Sequence, residues 1–172
     1  MRKRKTRDVA ELRRFAENPL EYEVRIVLRH ATEFLRLYPD GKLGLGLKSN
    51  VHDALLEAWL VHIRLLDDFL RHGQSHGGSA IARDWYDEWR SDGFLDKAHR
   101  AVLNDQLAHL SRNRKRWDLH ERPPWDGQMR AWTTACCEEL LRFFNEVPSD
   151  VAPAFDVPRS HVETWLTKGE LG

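Results

Sequence analysis

Residues 49–72 read SNVHDALLEAWLVHIRLLDDFLRH, and their spacing decides the fold. Val51, Ala54, Leu55, Ala58, Trp59, Leu65, Leu66 and Phe69 share one face of a helix with three-and-four spacing. Ser49 or Asn50 can cap its start and Gly73 can end it. Upstream, the same period recurs at positions 20, 24, 27, 28, 31, 34, 35 and 38. Asn18-Pro19 marks a start there, and Pro39-Asp40-Gly41 a stop. Downstream, Met129, Trp132, Cys136, Leu140, Phe143 and Phe144 form one stripe within residues 126–147. Residues 81–90 predict a short helix with Trp85 and Trp89 one turn apart, and residues 94–117 a longer one after Gly93. Beyond Pro148, Pro153 and Pro158, a last helix is expected over 160–168, with Val162, Trp165 and Leu166 docking on the body. No segment alternates with period two in β-branched residues, so strands are not expected. The reading is all-α: a single-domain helical bundle of about four long helices plus short ones. One domain is expected over residues 1–172. Residues 1–17 form a basic N-terminal extension or short helix, and 148–172 a linker and docking helix.

A chain of 172 residues can bury a real core without disulfides or metals. Lys plus Arg and Asp plus Glu each number 27, so the chain as a whole is neither a strongly basic nucleic-acid binder nor an acidic tail. No run of 18 apolar residues exists to span a membrane. Met1–Lys5 is basic, but charged residues follow it where a secretory signal would be apolar. A cytoplasmic protein is the expectation. The two cysteines, Cys136 and Cys137, are adjacent, a geometry that disfavours a disulfide between them, and they read as buried small apolar residues. The loop with Gly41, Gly44 and Gly46 lacks the Gly-Lys-Ser/Thr ending of a phosphate-binding loop.

Nine histidines are many for this length. At about 100° per residue, His62 falls on the apolar arc of its helix and His109 on the inner arc of the 94–117 helix. Each is a core histidine with a hydrogen-bond partner, or part of a polar pocket where an imidazole works as acid or base. Asp53, Glu57, Arg64, Asp68 and Arg71 share the opposite face of the 49–72 helix and read as a solvated ladder with pairs such as Arg64–Asp68. His72 and His76 lack a second ligand pair for zinc, and no metal or cofactor is expected. Arg112, Arg114, Lys115 and Arg116 offset a helix dipole or contact nucleic-acid phosphates, with Trp117 and Trp125 near enough in sequence to stack on bases.

Two stretches, residues 54–69 and 103–111, resemble a group of small bacterial helical proteins and, more loosely, the HEPN superfamily of toxin–antitoxin and anti-phage systems. The resemblance spans about residues 51–117. It implies a homodimer and metal-independent RNA cleavage by an Arg followed four to six residues later by a His. Asn104 and His109 match the polar residue and the histidine, whereas Leu103 or Asn104 stands where the arginine would be. Arg112, one turn after His109, is the geometric substitute. The resemblance thus implies His109, Asn104 and Arg112 as catalytic candidates. Arg112, Arg114, Lys115 and Arg116 are the candidates for nucleic-acid binding. RNA, a second copy of the chain, and an antitoxin or other protein are the partners it suggests. The alternative is a non-catalytic protein-interaction or dimerisation module.

Overall fold

The computed structural model describes residues 9–37, 50–71, 80–104 and 125–171. These residues are all-helical. The helices are α1 (Val9–Phe15), α2 (Glu21–Leu37), α3 (Asn50–Leu70), α4 (Lys97–Leu103), α5 (Trp125–Glu146) and α6 (Asp156–Lys168).

Asn18-Pro19 does not start a helix. It sits inside a π-helical turn, Ala16–Leu20, that joins α1 to α2. Proline has no N–H and its ring crowds the carbonyl four residues back, so a regular α turn cannot pass through it. The widened turn lets Glu21 N–H reach the Ala16 carbonyl, and Asn18 Nδ2 donates to the Arg14 carbonyl at 3.2 Å. Leu12, Ala16, Leu20, Val24, Val27, Leu28, Ala31 and Phe34 are buried along this continuous run.

Helix α2 packs on α3 and α6, and α5 on α3 and α6. The expected stripe of α5 is buried throughout, Cys137 beside it is buried as well, and both thiols are free. Helix α6 starts at Asp156, four residues earlier than its spacing suggests, with Val162 and Trp165 buried and Leu166 half-buried. Gly169 ends it at φ 74°, where its N–H meets the Trp165 carbonyl at 2.7 Å. Trp59 stacks on Trp132 and donates Nε1–H to Thr133 Oγ1 at 3.1 Å.

Two segments depart from expectation. Residues 81–90 hold only a 3₁₀ turn, Ala82–Asp84. Ile81 N–H donates to Asp84 Oδ2 at 3.0 Å, a local bond that competes with helix continuation. Trp85 and Trp89 are nevertheless buried, their indole N–H groups donating to the Leu12 and Leu70 carbonyls at 3.3 and 2.6 Å. Both indoles therefore belong to the core rather than to an exposed face. The helix expected from residue 94 begins at Lys97, because Asp96 caps it: its Oδ1 accepts His99 N–H at 2.8 Å.

Candidate functional site

The last turns of α3 carry Arg64, Asp67 and Asp68, Arg71 follows directly after the helix, and α4 brings Arg100 against them. Asp67 is fully buried. Its Oδ1 accepts the N–H groups of Phe94 and Leu95, each at 2.9 Å. Its Oδ2 accepts Arg71 Nε at 2.7 Å and an Arg100 terminal nitrogen at 3.0 Å. Arg71 also donates to the Leu95 carbonyl, and Arg100 to Asp68. One carboxylate therefore ties the end of α3 to the 93–95 loop and to α4. Gly93 makes the approach possible. It stands at φ +76°, and a Cβ there would lie 2.3 Å from Asp67 Oδ1.

Beside this cluster opens a cavity of about 580 Å³. Its apolar walls come from Phe15 and Leu20 before α2, Leu65 and Phe69 of α3, and Ile81. Its polar lining is Arg64, Arg71, Arg100, Asp68 and Glu23. Roughly 300–1,000 Å³ of mostly apolar space with a few convergent polar groups is the usual form of a small-molecule site. Arg64 Nε is shut off from solvent and has no hydrogen-bond partner, its nearest carboxylate being Asp68 Oδ2 at 3.8 Å. The face read as a solvated ladder is thus, from Arg64 to Arg71, a half-buried cavity edge. Packing of α4 and of the turn before α2 against it supplies the difference.

Glu23 continues the polar lining across α2. Its Oε2 lies 2.6 Å from His62 Nδ1, and the His62 ring centre lies 6.2 Å from that of His30. His62 is half-buried rather than central to the core, and Glu23 is its hydrogen-bond partner. Burial holds the His30 pKa below its ordinary value, and neighbouring His62 and Arg29 push it the same way. His30 Nδ1 is buried without a hydrogen-bond partner. The imidazole–carboxylate pair can pass a proton, and it borders the cavity through Glu23.

Among the predicted site residues, Asn104 is half-buried at the C-terminal end of α4, and its Oδ1 is buried without a hydrogen-bond partner. His109, Arg112, Arg114, Lys115 and Arg116 lie outside the described residues, as do His72 and His76. Among the described residues, no group of three or more His, Cys, Asp or Glu could hold a metal ion, and no helix is long and apolar enough to cross a membrane. Sequence reasoning missed Asp67 and Arg100. A signal for Asp67 was available: it stands four residues after Ile63 and three before Leu70, both buried, so the same periodicity turns it inward.

Compared with protein-family models, curated proteins and solved structures, the chain finds no match.

Proposed function

We propose that this chain is an HEPN-like helical-bundle protein that engages RNA. The observation that carries the reading is that Arg64 lines one opening beside α4 with Arg71 and Arg100, which Asp67 fixes in place. The chain runs on from α4 through Asn104 toward His109 and the Arg112, Arg114, Lys115 and Arg116 cluster. Guanidinium groups gathered on one side suit phosphate oxygens, which position a nucleic acid without reading its sequence. A degenerate, metal-independent ribonuclease is the catalytic form of this proposal, with His109 as base, Arg112 on the phosphate and Asn104 as polar partner.

Fluorescence anisotropy with single-stranded RNA tests it. Binding should weaken steeply with salt, because releasing counterions gains less entropy as bulk salt rises. Replacing Arg112, Arg114, Lys115 and Arg116 together with Ala should abolish binding while helicity survives. Undiminished affinity in that variant places the site elsewhere, and no binding at low salt removes the RNA reading. For the catalytic form, His109→Ala should stop cleavage with helical content intact, whereas His62→Ala should act on stability.

A second reading is a protein-interaction or dimerisation module. Val61 and Leu65 favour it: both are exposed, one turn apart on α3, with Tyr22 of α2 also exposed. Light scattering of the full chain at tens of micromolar decides it. A monomer with no partner-dependent change in mass counts against a homodimer.

A further inference from the structure

We propose that the cavity between the turn before α2, the end of α3 and α4 binds a small amphipathic organic anion. Its charged head would sit on Arg64 and its apolar body among Phe15, Leu20, Leu65, Phe69 and Ile81. This goes beyond RNA engagement: both readings draw on Arg64, but the test here uses no nucleic acid.

The charge pairing at the cavity singles out Arg64. Arg71 and Arg100 are both held by Asp67, and Arg100 also bonds Asp68. Glu23 is bonded to His62. Of the three guanidinium groups Arg64 is paired most loosely, its ion pair among the described residues being with Asp68 Oδ2 at 3.8 Å. Arg64 makes no hydrogen bond to a described residue, because that separation exceeds hydrogen-bond reach. A planar guanidinium beside an apolar cleft recognises a carboxylate or phosphate through paired N–H···O bonds. The apolar walls then reward a hydrocarbon or aromatic body by removing it from water. Cation and walls lie on neighbouring turns, because Arg64 and Leu65 are adjacent on α3 while Phe69 follows Leu65 by one turn.

Isothermal titration of the full chain with octanoate, monooctyl phosphate and 1-octanol tests the proposal. At least one anion should bind saturably at or below about 1 mM, and octanol about ten-fold more weakly or not at all. Octanoate alone would assign a carboxylate head, and octyl phosphate alone a phosphate head. Binding of both would assign the shared anionic chemistry. Arg64→Gln should weaken the anion by about ten-fold or more, with the circular dichroism spectrum unchanged. Leu65→Glu, at an exposed cavity position that tolerates a polar side chain, should weaken it too. If Arg64→Gln fails to fold, Leu65→Glu decides alone. Failure of both anions to saturate overturns the proposal. So does octanol binding as tightly as the anions, or full affinity in a folded Arg64→Gln or Leu65→Glu variant.

Discussion

Replacing Asp67 with Asn keeps the outline of the side chain and removes its charge. The native carboxylate satisfies two backbone N–H groups with one oxygen and two arginines with the other, all within 3.0 Å. An Asn amide has a single oxygen. Turned to the backbone, it aims its NH₂ at two guanidinium groups, donor against donor. Turned to the arginines, it leaves Phe94 and Leu95 N–H facing an NH₂. Either orientation loses two hydrogen bonds and strips the arginines of a counter-charge. Removing one member of a buried ion pair costs about 3–5 kcal/mol. The Arg71 and Arg100 side chains keep 25% and 24% of their exposure, so water replaces part of what they lose. The expected loss is therefore at the low end, about 3 kcal/mol. Urea denaturation followed by far-ultraviolet circular dichroism reads this directly. With a slope of about 2 kcal/mol/M, the midpoint should fall by about 1.5 M. Asp68→Asn is the control: its side chain is 37% exposed, and it should cost less than about 1 kcal/mol. A midpoint shift for Asp67→Asn no larger than for Asp68→Asn would refute the assignment of Asp67 as the tie between α3 and α4.

Gly93→Ala should destabilise the same junction by about 1–3 kcal/mol from backbone strain alone, with the clash at Asp67 adding to it; a neutral result in urea would contradict the observed φ. Thr133→Val leaves the buried Trp59 N–H without an acceptor and should cost about 1–3 kcal/mol by the same assay, against almost nothing for Thr164→Val in α6, whose hydroxyl bonds only back to the Ser160 carbonyl. Because His30 has a folded pKa below 6.5, the unfolded chain binds more protons there. Its contribution is therefore full above that value and is lost as pH falls toward the folded pKa. His30→Gln should flatten the fall in stability below about pH 6.5, and an unchanged slope would remove His30 as its source. Burial pushes both cysteine thiols up, so neither should react with a disulfide reagent at mildly alkaline pH until urea unfolds the chain.

Bulky apolar residues at three-and-four spacing made α2, α3, α5 and α6 legible, because burying such a stripe is what stabilises a helix in water. Residues 81–90 show where that inference fails. Trp85 and Trp89 have helical spacing, but a four-residue interval specifies a shared face only if the backbone between is helical. Here the Asp84 side chain closes a turn on Ile81 N–H instead, and each indole reaches a carbonyl of a distant helix. The cavity was harder still to foresee. Its edge residues Arg64, Asp68 and Arg71 lie on the polar side of α3 by any count of hydropathy. Tertiary packing half-buries them, with Arg100, the 93–95 loop and the turn before α2 brought up beside them. Asp67 was within reach of the periodicity, and its charge is what hid it, since carboxylates are seldom fully buried unless paired.

The π-helical turn at Pro19 acts as a phase shifter. Leu12, Ala16, Leu20 and Val24 follow one another at intervals of four, a spacing that in an unbroken α-helix drifts about 40° round the axis at every step. The extra residue in the turn takes up that drift, so all four stay on the buried side. The cavity wall inherits its shape from this, since Phe15 stands before the turn and Leu20 closes it. Winding residues 16–20 as a regular α-helix, with no residue removed, would rotate everything upstream by about 100° relative to α2. Phe15 would swing off the cavity and Leu12 out of the core, with every side chain still present in the chain. At this end of the molecule, the shape of the cavity is set by backbone winding as much as by residue identity.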